Sequence, residues 1–110
     1  LIHSIRLREP WDVEPIVGGL KRHRRFFNKP TGLEPGDRVW IVVEGAVGLA
    51  ELSLNGSPPP HAGDQAPVGN EARRSFDVTT LLNLRNELVL ILEDSPTSSR
   101  GEVRLEIHPA

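Results

Sequence analysis

VWIVVEGAVGLAELSLNG, residues 39 to 56, holds two runs rich in apolar and β-branched side chains, broken by Gly45 and Gly48 and closed by Asn55-Gly56. Val39, Ile41 and Val43 fall on one face of an extended chain, with Trp40 and Val42 on the other, so this strand is apolar on both sides and is expected at the centre of a sheet. From Leu49 to Leu54 the pattern alternates, Leu52 and Leu54 against Glu51, Ser53 and Asn55, which fits a half-buried strand. Both residues of Asn55-Gly56 tolerate positive φ, the strongest short-range turn signal in the chain. Together the stretch reads as a central β hairpin within an all-β sandwich.

Working outward, the same grammar repeats. Asn86 to Glu93 (NELVLILE) carries Leu88, Leu90 and Leu92 on one face and Val89 and Ile91 on the other, a second central strand. Glu102 to Ile107 alternates strictly, with Val103, Leu105 and Ile107 inward and Glu102, Arg104 and Glu106 outward. Arg73 to Val78 returns as a strand with Phe76 and Val78 on one face. Thr79 and Thr80 are placed to cap a short helical turn running through Leu84. Asp77 is placed to bind backbone donors of that turn, and Asn86 to fix the turn into the next strand.

Toward the start, Leu1 to Leu7 is expected as an opening edge strand, ended by Glu9-Pro10. Trp11, Val13 and Ile16 with Pro15 suit a second edge strand, and Gly18-Gly19 a turn. Leu20 to Phe27 (LKRHRRFF) places Lys21, His23, Arg25 and Phe27 on one face and Leu20, Arg22, Arg24 and Phe26 on the other. Asn28 to Asp37 and Asp94 to Gly101 are loops. Ser57 to Asn70, rich in proline, is the segment expected to be most mobile.

The 110 residues make one domain, 1–110, with thirteen basic and fifteen acidic side chains and a formal charge of −2. That balance argues against broad electrostatic capture of nucleic acid or an anionic membrane, so neither is an expected partner. No apolar run approaches the ~20 residues that span a bilayer, and no charged-then-apolar leader precedes Ile2. A chain without methionine that begins at Leu1 reads as trimmed or excised. Without cysteine there is neither a disulfide framework nor thiolate chemistry.

Several motifs occur in a telling order: Phe26-Phe27 before a proline loop, Val39 to Gly45, Leu54-Asn55-Gly56, Phe76-Asp77-Val78-Thr79, and Asn86-Glu87-Leu88. In this order they resemble the N-terminal sugar-binding-like domain of glycoside hydrolase family 2 enzymes, a galactose-binding-domain-like jelly roll. The resemblance covers nearly the whole chain. The segment between Trp11 and Arg25 is shorter than the family pattern, and the catalytic barrel is absent. In those enzymes the catalytic glutamates sit on the barrel, so the resemblance implies a non-catalytic module with a carbohydrate-binding or scaffold role, about eight strands in two antiparallel sheets, and no cofactor.

Candidate ligand contacts are Trp11, Arg22, Arg24, Trp40 and His61, gathered on loops at one end. Tryptophan can stack on a pyranose face, although a chain with five aromatics usually spends them in its core. Lys21 to Arg25 can clamp an oxyanion, against the simpler reading of a solvated edge strand that discourages edge pairing. The histidines at 3, 23, 61 and 108 lack metal-ligand spacing. A hydrolase would need facing carboxylates about 5 to 10 Å apart, and Glu44, Glu51, Asp77 and Glu93 single out no pair. The alternative to a saccharide module is a stand-alone protein-interaction domain that kept the fold without sugar affinity.

Overall fold

The structure, a computed structural model, describes residues 1–59 and 73–110. The described strands are β1 (His3–Arg6), β2 (Asp12–Ile16), β3 (Leu20–Asn28), β4 (Arg38–Glu44), β5 (Leu49–Leu54), β6 (Arg73–Asp77), β7 (Arg85–Glu93) and β8 (Glu102–His108). They form two four-stranded antiparallel sheets, in the order β1-β8-β4-β6 and β2-β3-β7-β5. The chain is an all-β sandwich. Most of the proposed Ser57 to Asn70 loop, with His61, lies outside the described residues.

Alternation on the inner strands builds the core. Val39, Ile41 and Val43 from β4 meet Leu88, Leu90 and Leu92 from β7, joined by Leu52, Leu54, Phe76, Val78, Val103 and Leu105, all buried, with Ile107 packed at the margin. Leu7, Trp11 and Phe27 extend this core. Both β4 and β7 are central, as their two-sided apolar pattern requires. On the far face of β4, Val42 is also buried, lying in register between Arg104 and Ser75.

Residues 39–56 do not form a hairpin. β4 pairs with β6 and β8, whereas β5 pairs with β7 in the other sheet. Short connections between successive strands usually pair them, but Gly45 and Gly48, at φ 79° and 84°, turn the chain out of one sheet and into the other. The corner is held by the Val47–Ser99 bridge. Close approach at Gly101 also holds it, because a Cβ there would meet the Glu44 carbonyl at 2.4 Å. The Asn55-Gly56 turn forms as expected, with reciprocal backbone bonds between Leu54 and Ser57.

Leu20 to Phe27 is likewise not an edge strand. β3 runs between β2 and β7 and pairs with both. Its charges are tolerated there because cross-strand carboxylates accompany the outward arginines. Glu14 of β2 pairs with Arg22 and lies 3.7 Å from Arg24, which in turn lies 2.9 Å from Glu87 of β7. The true edges are β1, β2, β5 and β6. β1 lies along β8 with His3 opposite Ile107 and Arg6 opposite Arg104.

The segment after β6 tightens to one 3₁₀ turn, Thr79–Leu81, capped by Val78 without a side-chain bond. Thr79 does not act as its cap. Its hydroxyl instead accepts from the Val39 amide at 2.8 Å and donates to Asp77 at 2.7 Å. Asp77 accepts from the Thr79 amide at 3.0 Å, as its place in F-D-V-T suggests. Asn86 accepts from the Asn83 amide at 2.8 Å and donates to the Asn83 carbonyl at 2.9 Å, clamping the entry to β7.

Candidate functional site

The inward face of β3 carries Phe27, Arg25, His23 and Lys21, in register with Asn86, Leu88, Leu90 and Leu92 of β7. Phe27 is buried, and the three basic residues are half-buried. Beside them the 94–101 connection walls off a cleft of about 230 Å³. Its lining includes Val13, Lys21, His23, Asp94, Ser95 and Arg100. Exposed Val13 gives it a small apolar patch among polar groups.

Arg100 organises this cleft. Its guanidinium lies 4.4 Å from the centre of the Trp11 ring, close enough for a cation–π contact. One nitrogen lies 2.8 Å from His23 Nδ1, and another pairs with the Glu9 carboxylate. A guanidinium can only donate. His23 Nδ1 therefore accepts, which makes the ring neutral with its proton on Nε2. Burial, then the charges of Arg100 and Lys21, lower the His23 pKa below the ordinary 6.5, outweighing the pull of Glu9. Nearby, Lys21 Nζ lies 3.5 Å from Asp94, and Arg25 Nε donates to the Arg8 carbonyl at 2.7 Å. The result is a polar cleft in which the cationic donors of Lys21 and Arg100 are partnered by Asp94, Glu9 and His23.

The five residues proposed from sequence are not gathered at one place. Trp11 is buried, its Nε1 donating to the Leu7 carbonyl at 3.2 Å and its face covered by Arg100. Arg22 and Arg24 point outward from the opposite face of β3. Trp40 is half-buried on the outer face of the other sheet, 5.9 Å from the His108 ring, and His61 lies outside the described residues. Of the four that are described, Trp11 alone touches the cleft's organising arginine. One signal for the cleft was present in the alternation of LKRHRRFF, since a buried Phe27 puts His23 on the inward face. Arg100, isolated in a polar turn, carried none.

A second polar cluster covers the outer face of β4, β6 and β8. Glu106 is buried and accepts from Arg104 and from His108 at 3.0 Å each, with Arg73 at 3.5 Å. Arg104 also donates to Glu44 at 2.9 Å. Burial alone would raise the Glu106 pKa, but bonds from His108 and Arg104 outweigh it and hold it below the ordinary 4.5. Burial would lower the Arg104 pKa, but bonds to Glu44 and Glu106 outweigh it and raise it above its ordinary value. Asp77 behaves like Glu106: bonds from Thr79 and Arg38 overcome its burial and lower its pKa below 3.8. These carboxylates are held ionised. Among the described residues, no three histidine, aspartate or glutamate side chains converge as a metal site.

No known family profile matches the chain, and no curated protein does. Among solved structures, the sandwich is similar to part of an FMN-binding β-glucuronidase from Facaelibacterium prausnitzii L2-6, with a TM-score of 0.72 and 20% identity. The match covers 98% of this chain and 23% of that one, so the chain spans less than a quarter of the larger protein's length. At that identity the likeness is one of fold.

Proposed function

We propose that this chain is a non-catalytic jelly-roll module of a glycosidase-like protein, with a saccharide-binding role centred on the Arg100 cleft. The observation that carries the reading is the cleft's composition. Val13 offers a small apolar patch while Lys21, His23 and Arg100 surround it with donors, the mixture that a polyhydroxylated ring requires. The fold likeness to part of a β-glucuronidase supports the same setting. Glycoside hydrolysis needs one carboxyl held protonated near neutrality, whereas Asp77 and Glu106 are both pushed the other way.

Calorimetric titration of the chain with a panel of mono- and disaccharides tests this. Binding that is lost in Lys21→Ala is the expected result, and no heat with any saccharide overturns the reading. A second reading, docking of a protein partner, rests on Trp40, which stands half-buried on the outer sheet face beside His108. If that face carries the function, Trp40→Ala abolishes partner capture and leaves saccharide titrations unchanged.

A further inference from the structure

Arg100 separates two cavities. With Gly101 it lines both the 230 Å³ cleft beside His23 and a neighbouring one of about 170 Å³ that contains Glu9, Trp11 and Glu102. Its side chain is 18% exposed, and its guanidinium covers the Trp11 ring. If it moved away, the two cavities would join and the indole face would form part of their floor.

We infer that Arg100 is an acid-released latch: protonation of His23 withdraws the guanidinium from Trp11 and opens a stacking surface for the apolar face of a pyranose. The inference rests on the saccharide reading for its ligand, but not for its motion. The physical basis is the direction of one hydrogen bond. Arg100 can only donate and His23 Nδ1 accepts, across 2.8 Å. A proton on Nδ1 removes the acceptor and sets two cations against each other.

The groups around His23 set what release must overcome. On its own strand, Lys21 and Arg25 share its face. Opposite it on β2 is Val13, and β7 presents the uncharged Leu88, Leu90 and Leu92, with Glu93 at its end also lining the cleft. The 94–101 connection supplies Arg100 and Asp94, the latter beside Lys21. Glu9 holds the other side of the guanidinium and its second carboxylate oxygen accepts from the Trp11 amide at 2.9 Å, so release must break this anchor as well as the cation–π contact. Burial and the neighbouring cations lower the His23 pKa, so the latch stays shut at neutral pH and opens only in acid.

The chain has two tryptophans, so Trp40→Phe leaves Trp11 as the sole reporter. As pH is lowered from about 7.5 until the His23 ring resonances show that it has gained its proton, acrylamide quenching of that reporter is expected to rise roughly twofold or more. Adding His23→Gln, which can accept but cannot titrate, should abolish the rise. Adding Arg100→Ala should give high quenching at both pH values. Unchanged quenching in the parent, the same rise with His23→Gln, or low neutral quenching with Arg100→Ala each overturns the latch. Titrations with the same panel of mono- and disaccharides at both pH values separate the two claims. A pH-dependent quenching change without saccharide binding supports the latch and overturns the proposed function; binding with pH-independent quenching does the reverse.

Discussion

Asn55 donates its side-chain amide to Asn86 Oδ1 across 3.0 Å, tying the turn after β5 to the entry of β7. The same amide reaches the Leu81 carbonyl at 2.8 Å, and Asn55 Oδ1 accepts from the Glu87 amide at 2.9 Å. Asn86 is buried and serves Asn83 through both backbone groups. Asn86→Ala leaves several of these partners unsatisfied, and we expect a loss of about 1–3 kcal/mol, read from the urea midpoint. A change below a few tenths would contradict this account of the node.

Leu90 lies fully buried at the middle of β7, paired to Leu52 on one side and His23 on the other. Leu90→Ala should cost about 2–5 kcal/mol through lost burial and the cavity left behind. Differential scanning calorimetry checks it.

Two glycines separate crowding from backbone strain. Both Gly56 and Gly101 have positive φ, but a Cβ at Gly56 meets nothing within 4 Å, whereas at Gly101 it would meet backbone from residues 44 to 46. Gly56→Ala should therefore cost only about 1–2 kcal/mol. Gly101→Ala should cost more, because the corner between β4 and β5 must also shift. Equal midpoints for the two variants in parallel denaturation curves would show that the close approach is not important.

Acid should weaken the fold through Asp77 and Glu106. Both have folded pKa values below their ordinary 3.8 and 4.5, so the unfolded chain takes up protons first as pH falls. Their stabilisation is complete above the ordinary values and disappears as pH drops through the lower folded ones. Asp77→Asn should flatten the stability curve on that acid limb while leaving Glu106's share. Urea unfolding at a series of pH values below about 5 measures it.

The outward arginines should matter little by comparison. Arg24 sits about a third exposed between Glu14 and Glu87, and exposed ion pairs contribute roughly 0–1 kcal/mol. Arg24→Ala is expected to stay within that range in a urea midpoint measurement.

Periodicity made the core legible. Every residue proposed for it is buried except Ile107, which packs at its margin, because strand alternation is local and the chain obeys it. Strand partnership was not legible in the same way. Val39 to Gly56 reads as a hairpin until Gly45 and Gly48 are known to turn a corner, and LKRHRRFF reads as an edge until Glu14 and Glu87 are seen alongside it. The cleft was the least legible part. It is assembled from Glu9, His23 and Arg100, which are distant in sequence, and its key feature is the direction of one hydrogen bond. Trp11 was picked out for its chemistry, but its cover by Arg100 exists only in three dimensions.

The antiparallel register of β1 on β8 has a mechanical consequence. His3 lies opposite Ile107, so the outer ends of the first and last described strands meet at one end of their sheet. A pull applied between those ends loads the ladder one rung at a time, as a zipper, instead of shearing all its bonds together. Stretched that way the domain should yield at low force, with β1 peeling off first and the remaining strands still closed around the core.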